Sequence, residues 1–262
     1  MIRSPLGLRL DPSRPIKEQI RLAASAGAKG VVFDAAGDLG PDRLSETGRR
    51  ELRQVLRSVE LDLVAVSLPT RRPFDSLEQL EDRLPRADRA FALAYELGTR
   101  LVLARVGGLP PEADAARREA FTTAVRELGL RADHRGIRFA LETGEEPGSV
   151  LGPFLGAMGL PSLAASVDPS SLLRQGIDPV AATRELGAWV AHAYANDASG
   201  SSRSPGVSHP RGSGFPSGAL DWEEYLGALE EINYRGYLTV WPEPEREAGA
   251  EFRAIADRLR QF

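Results

Sequence analysis

The sequence predicts a single (β/α)8 barrel over residues 1–262. Short apolar runs alternate with longer segments whose apolar residues recur at helical spacing, and the alternation occurs eight times. Strands that alternate with helices pair in parallel, and eight such units in a chain of 262 residues most simply close into a barrel. The alternative is an open doubly wound sheet. That fold usually has a glycine-rich turn after its first strand, and none follows LGLRL here.

The elements follow one another regularly along the chain. Predicted strands lie at 6–10, 30–35, 61–69, 99–108, 137–146, 162–173, 189–197 and 237–241. Predicted helical segments lie at 16–27, 44–60, 76–98, 112–136, 148–159, 178–189, 219–236 and 246–262.

Three local signals refine these assignments. Asp178 and Pro179 are typical of an N-cap and first helical turn, and Pro85 is expected to break the helix at 76–98 or start a new one. Residues 198–218 are rich in Gly, Ser and Pro and lack periodicity. They predict a long loop after strand seven, over the C-terminal face, which is either a lid or simply mobile.

Composition excludes several classes of protein. The formal net charge is −4 and the pI is near 5.6, which gives no electrostatic basis for binding nucleic acid. The absence of cysteine excludes disulfides, thiol nucleophiles and thiolate metal sites. We see no signal peptide and no run of roughly 20 apolar residues, so we expect a cytoplasmic protein without membrane contact.

Catalytic groups of such barrels lie at the C-terminal ends of the strands. The polar candidates there are Arg9, Asp11, Asp34, Ser67, Arg105, Glu142, Asp168, His192, Tyr194, Asn196, Asp197, Trp241 and Glu243. Carboxylates after strands five, six and eight can converge on one divalent cation, Mg²⁺ or Mn²⁺, and an added imidazole widens the choice to Co²⁺ or Zn²⁺.

Several of these groups also have a purely structural interpretation. Asp34 is better explained as a helix cap, and Asp168 before Pro169 also suits a cap. Arg9 can pair with Asp11 or Asp34, and Arg105 either forms a similar pair or clamps a phosphate or carboxylate. Of the three histidines, His134 is expected on the surface and His192 in the core, while His209 is either solvated or close to the pocket.

Three stretches carry a resemblance to a known family. FALETGEE, VDPSSLLRQGIDPVAATRELGAWVAHAYAND and GSGFPSGALDWEEYLGALEEINYRGYLTV resemble the xylose isomerase-like TIM-barrel superfamily of sugar (phosphate) isomerases and epimerases. The resemblance covers roughly the second half of the chain. It implies one divalent metal held by Glu, Asp, His and Glu on strands five to eight, with the two glutamates transferring a proton.

Carried over by position, the resemblance implies only half of that metal site. Glu142 and Asp168 match the first two ligands. Tyr194 stands where relatives often have the metal-binding His, Asn196 replaces a Lys, and Trp241 stands at the usual catalytic Glu.

Two function hypotheses therefore remain open. In the first, Glu142, Asp168 and Glu243 hold a metal, with His192 or His209 as fourth ligand, and the two glutamates are base and acid of an isomerase or epimerase. In the second, a catalytically degenerate barrel binds a sugar or other small polar ligand without metal. The residues expected to contact the ligand are Arg105, His192, Tyr194, Asn196, Asp197, His209 and Trp241.

A third hypothesis, DNA-repair endonuclease, needs clustered histidines and a basic surface, which this composition does not supply. The expected partner is instead a small sugar or sugar phosphate. A homo-oligomer is also expected from the resemblance.

Overall fold

The computed structural model describes residues 4–70, 72–78, 80–197, 220–242 and 246–262. Within these ranges eight parallel strands form a closed barrel in sequence order, and β1 pairs with β8 to complete it. The strands are β1 (Leu6–Arg9), β2 (Gly30–Asp34), β3 (Asp62–Ser67), β4 (Leu101–Ala104), β5 (Arg138–Glu142), β6 (Leu163–Val167), β7 (Val190–Tyr194) and β8 (Leu238–Val240). The predicted (β/α)8 fold is thus confirmed.

Helices cover the outside of the barrel between successive strands. They are α1 (Ile16–Ala26), α2 (Glu46–Ser58), α3 (Leu80–Leu97), α4 (Ala115–His134), α5 (Gly148–Met158), α6 (Pro169–Arg174), α7 (Pro179–Leu186), α8 (Trp222–Glu231) and α9 (Ala248–Leu259). None of these helices combines the length and the apolar character that crossing a membrane requires.

The predicted break at Pro85 is wrong. α3 runs through this residue without interruption. Pro85 is the sixth residue of the helix, so the one backbone hydrogen bond that it cannot donate lies near the frayed N-terminal end. Packing of α3 outweighs that loss, because Leu84, Ala87 and Phe91 on either side of the proline are all buried.

The apolar core has two layers. The larger layer lies between the strands and the surrounding helices, and Phe91 and Phe139 meet there edge-on with their ring centroids 5.4 Å apart. The smaller layer fills the inside of the barrel with Val32, Ala65, Leu103, Ala140, Ala164 and Tyr194. Small side chains at most of these positions leave room for the one large ring, Tyr194, which is fully buried.

Strand alternation carries the inner layer up to a polar rim. Successive strand residues face opposite sides, so the residue two positions after an inward apolar residue also faces inward. Val32, Ala65, Leu103 and Ala140 are therefore followed on the inside by Asp34, Ser67, Arg105 and Glu142. The pleat thus brings these polar side chains together at the C-terminal end of the barrel, where sites of this fold lie.

Candidate functional site

A buried arginine occupies the centre of the C-terminal rim. Nη1 of Arg9 donates to Oε1 of Glu142 at 3.0 Å and to the hydroxyl of Tyr194 at 2.6 Å. Nη2 donates to Oδ1 of Asp34 at 2.9 Å and to Oγ of Ser67 at 2.8 Å. One guanidinium therefore ties together β1, β2, β3, β5 and β7, with both carboxylates as ion-pair partners.

Two aromatic rings close this cluster. The guanidinium carbon of Arg9 lies 3.7 Å from the centre of the Trp241 indole, a cation–π contact. The rings of Trp241 and Tyr194 are 5.4 Å apart, and Oδ1 of Asn196 accepts a 2.8 Å hydrogen bond from the Trp241 backbone. We call Arg9, Asp34, Ser67, Glu142, Tyr194 and Trp241 the Arg9 cluster.

The charge states of this cluster follow from its burial. Burial alone would lower the pKa of Arg9, but Tyr194 and the carboxylates of Glu142 and Asp34 outweigh it and raise that pKa. Burial, followed by the negative charge of Glu142, raises the pKa of Tyr194 well above its usual value of 10.0. Arg9 is thus a permanent cation, and Tyr194 is a neutral phenol that donates to Oε1 of Glu142 at 2.6 Å.

His192 lies inside the barrel, as expected for a core histidine. It is fully buried, and its two ring nitrogens lie 2.8 Å from Oγ of Ser166 and 2.9 Å from Oγ1 of Thr239. Burial, and secondarily the charge of Arg9, lowers its pKa to about 3. A neutral imidazole with both nitrogens in hydrogen bonds supports the barrel wall.

Asp168 forms a second polar group at the end of β6. Its side chain caps α6 by accepting from the Ser171 backbone, so the expected cap is confirmed, and it also accepts from the hydroxyls of Ser170 and Ser171. Nη2 of Arg105 donates to Oδ2 of Asp168 at 3.2 Å and to Oγ of Ser171 at 3.0 Å. Arg174 reaches the same Ser171 hydroxyl at 2.8 Å.

These residues border a cavity of about 100 Å³, which we call the cleft, at the ends of β4, β5 and β6. Its lining includes Arg105, Glu142, Glu145, Glu146, Ser171 and Arg174. Gly144 lets the chain after β5 approach α6, because its φ is +153° and an added Cβ would lie 2.9 Å from Cβ of Ser171. No hydrogen bond from a described residue reaches Oε2 of Glu142, the second oxygen of a carboxylate that borders the cleft.

The two glutamates after Gly144 differ from each other. Oε2 of Glu145 accepts a 3.0 Å hydrogen bond from the Gly108 backbone. Burial, against a weaker opposing hydrogen bond from the Leu109 backbone, raises the pKa of Glu146 to about 7. The cleft therefore contains a carboxyl group that exchanges a proton near neutral pH.

The described residues do not fit a divalent metal. No group of three or more His, Cys, Asp or Glu side chains in the described ranges is arranged to hold one. Glu142 is paired with Arg9, and Asp168 with Arg105 and two serine hydroxyls. A metal ion would have to compete with a guanidinium for each of these two carboxylates, and the two positive charges would repel each other.

The remaining predicted site residues fall into two groups. Oδ1 of Asp197 accepts a 3.0 Å hydrogen bond from the Leu220 backbone, and Asn196 fixes the Trp241 backbone. Glu243, His209 and the loop at 198–218 lie outside the described residues. The roles proposed for them remain predictions.

One expectation about the site residues is wrong, and some residues of the cleft were not anticipated. Asp34 does not cap a helix but pairs with Arg9, because the short 3₁₀ turn that follows begins only at Gly37. Ser171, Arg174 and Glu146 are absent from the expected site. The signals that point to them are the hydroxyl and guanidinium groups of SSLLR, directly after Asp168-Pro169, and the triplet GEE, which follows β5 after Thr143.

Comparison with known proteins matches this fold. A family model described as xylose isomerase-like TIM barrel covers residues 20–262. No curated protein sequence matches the chain.

Several solved structures share the whole architecture at low sequence identity. A xylose isomerase domain protein from Planctomyces limnophilus has a TM-score of 0.80 at 18% identity, covering 98% of this chain and 95% of that one. D-psicose 3-epimerase from Clostridium cellulolyticum H10, solved with D-tagatose, has a TM-score of 0.76 at 16% identity and 98% coverage of both chains. A probable 3-DHS dehydratase from Bacillus anthracis has a TM-score of 0.75 at 17% identity, covering 98% of each chain. At these identities the likeness is one of fold.

Proposed function

The chain belongs to the xylose isomerase-like TIM barrel family, and on that premise we propose that it is a sugar isomerase or epimerase that works without a divalent metal. The observation that carries the proposal is Glu142, which Arg9 and Tyr194 hold by one oxygen while its other oxygen has no hydrogen-bond partner among the described residues. A carboxylate held in this way beside a polar cleft is a positioned base.

In this proposal, Glu142 removes the proton from the carbon next to a sugar carbonyl. The pair of electrons left behind forms an enediolate, and its negative charge develops on the carbonyl oxygen. Arg105 borders the same cleft and uses only Nη2 in hydrogen bonds to described residues, so Nε and Nη1 remain to stabilise that oxygen.

Return of the proton to the neighbouring carbon on the same face can use Glu142 itself, whereas return to the other face, which epimerisation needs, requires a second acid. Glu146 is the candidate among the described residues, since its pKa of about 7 leaves it partly protonated at neutral pH and it borders the cleft. Glu243, two residues beyond the position at which relatives have their catalytic glutamate, remains a further candidate.

The Arg9 cluster has a supporting role. It holds Glu142 in one orientation and contributes the positive charge that a metal contributes elsewhere, without exposing an ion to the ligand. Trp241 and Tyr194 pack on this arginine, so at least one face of the indole is covered by protein.

The test is solvent hydrogen exchange. Ketopentoses, ketohexoses and their phosphates, incubated in D₂O with protein dialysed against EDTA, should lose the proton signal at the carbon next to the carbonyl. The Glu142→Gln variant should be slower by about 100-fold or more. The matched control is Glu119→Gln, which removes a carboxylate from the exposed surface of α4 and should exchange at the wild-type rate.

Two results would reject the proposal. Exchange that occurs only after loading with Mn²⁺, Mg²⁺, Co²⁺ or Zn²⁺ would restore the metal-dependent mechanism. Equal exchange by wild type and Glu142→Gln would remove Glu142 as the base.

A second candidate function is ligand binding without turnover. The observation that favours it is the extent to which the central carboxylates are already engaged, since both Asp34 and Glu142 are ion-paired to Arg9. Sugar binding by calorimetry, together with no hydrogen exchange for any sugar of the panel, would support this candidate.

A further inference from the structure

Two guanidiniums of the cleft converge on one hydroxyl group. Nη2 of Arg105 lies 3.0 Å from Oγ of Ser171, and Nη2 of Arg174 lies 2.8 Å from the same atom. Ser171 is buried and donates its proton to Oδ2 of Asp168 at 2.6 Å, so its oxygen accepts from both arginines. The serine therefore holds two positive charges close to each other at the cleft.

Only one of these charges is neutralised by the described residues. Arg105 pairs with Asp168 at 3.2 Å. Arg174 donates to the neutral hydroxyls of Ser170 and Ser171 and forms no ion pair with a described residue. Two nearby cations with one carboxylate between them repel each other, and an anion bound beside them would relieve that repulsion.

Both guanidiniums also have N–H groups that form no hydrogen bond to a described residue. A guanidinium has five N–H groups in a rigid fork, and each of these two uses two hydrogen bonds to described residues. Such a fork fits the paired oxygens of a carboxylate or a phosphate. Arg174 is exposed and about half of the Arg105 side chain is exposed, so a ligand can reach both.

The acidic residues of the cleft leave room for such an anion. Glu142 is already ion-paired to Arg9, and Glu145 accepts a backbone hydrogen bond. Glu146 is partly protonated near neutral pH because burial raises its pKa to about 7. The unpaired positive charge of Arg174 is therefore the feature that distinguishes this side of the cleft.

We propose that Arg174 binds an anionic group of the ligand, a carboxylate or a phosphate, at the mouth of the cleft, where the neighbouring guanidinium of Arg105 adds positive charge. This inference rests on the proposed function in one respect, because it assumes that the sugar bound near Glu142 carries that group. The ligand is then a sugar acid or a sugar phosphate rather than a neutral sugar.

The test compares ligands that differ in one group. Calorimetric titrations use ribose, ribonate, ribose 5-phosphate and inorganic phosphate. We expect ribonate or ribose 5-phosphate to bind at least tenfold more tightly than ribose, with a preference that weakens as NaCl is added. The stronger of the two identifies the anion as carboxylate or phosphate.

Variants assign this preference to the arginine. Arg174→Gln should weaken binding of the preferred anionic ligand by about 10- to 100-fold while leaving ribose within twofold, because a charge-assisted hydrogen-bond pair is lost. Arg174→Lys keeps the charge but loses the planar fork, so it should give an intermediate affinity. Arg21→Gln removes the same charge from the exposed surface of α1 and should bind like wild type.

Three outcomes would overturn the inference: no anionic probe binds, ribose binds as tightly as the anionic sugars, or Arg174→Gln keeps the full preference. Failure of the proposed function looks different. An anion preference without hydrogen exchange would support the arginine site and reject turnover. Exchange of neutral sugars without an anion preference would do the reverse.

Discussion

The Arg9 cluster and the cleft lie at the same end of the barrel and share Glu142, but they differ in how far their hydrogen bonds and charges are satisfied. In the cluster, Arg9 faces two carboxylates, a phenol, a hydroxyl and an indole, and only 7% of its side chain is exposed. In the cleft, Arg174 has no ion-pair partner among the described residues and is exposed.

This contrast separates stability from function. A polar group whose partners are complete within the protein contributes structure and offers nothing to a ligand. An exposed polar group with donors that the protein does not use is hydrated in the free protein and can exchange that water for a ligand. Removing Arg9 from the cluster should therefore affect folding, whereas removing Arg174 from the cleft should affect binding.

Removing Arg9 tests whether the cluster stabilises the folded protein. We expect Arg9→Met to lower the free energy of unfolding by about 3–5 kcal/mol, because it leaves the buried Glu142 side chain and the partly buried Asp34 without a cation. Urea denaturation at pH 7 measures this change. Adding Glu142→Gln to the variant should recover part of the loss, since one of the two unpaired charges is then gone.

The matched control is Arg21→Met on the exposed surface of α1, which should change stability by no more than about 0.5 kcal/mol. If Arg9→Met were as stable as this control, the cluster would not hold the barrel end together.

Glu146, the buried acid of the cleft, should make the stability of the protein depend on pH. The Glu146 carboxyl has a pKa of about 7 in the folded protein against its usual value of 4.5, mainly because burial disfavours its charge. Between these two values the folded state binds more protons than the unfolded state, so the free energy of unfolding falls as the pH rises. The loss between pH 4.5 and 7 should reach about 3 kcal/mol.

Urea denaturation at several pH values across this range tests the effect. Glu146→Gln stays neutral, so its stability should exceed that of wild type increasingly up to pH 7. The exposed Glu119→Gln should follow the wild-type curve. Parallel curves for wild type and Glu146→Gln would show that Glu146 is ionised in the folded protein at low pH.

A smaller effect on the free energy of unfolding is expected from His192, which lies inside the barrel near the Arg9 cluster. Burial lowers the pKa of His192 to about 3 from the usual histidine value of 6.5. Below pH 6.5 His192 binds a proton in the unfolded chain but not in the folded protein. The free energy of unfolding therefore decreases as the pH falls. Between pH 6.5 and 5 this cost should be about 2 kcal/mol.

The direct check is the proton NMR spectrum of the histidine rings. The resonances of His192 should not shift between pH 7 and 4.5, with the exposed His134 as a comparison in the same spectra. Titration of His192 in this range would mean that its bonds to Ser166 and Thr239 open easily.

Local patterns were enough for the fold and for some single residues. Alternation of strands and helices predicted the barrel, and Asp178 and Asp168 begin their helices as their sequences indicate. These features depend on neighbours within a few positions in the chain. Trp241, directly after β8, packs against the inner layer beside Tyr194.

Long-range partners were harder to predict. Arg9 was expected to pair with Asp11 or Asp34, and it does pair with Asp34. Its bond to Glu142, 133 positions away, depends on closure of the barrel. Asp34 was wrongly expected to cap a helix, because a local pattern gives no sign of an arginine on the neighbouring strand.

The sequence alone was enough to predict that this chain is a (β/α)8 barrel, and its resemblance to the family implied that Tyr194 and Trp241 stand where relatives often have a histidine and a glutamate. Closure of the barrel decides that Glu142 and Tyr194 meet the guanidinium of Arg9 and that Arg105 and Arg174 meet at Ser171. The physical reason is that strand and helix formation depend on short-range periodicity, whereas charge pairing depends on distances that exist only once β1 has closed on β8.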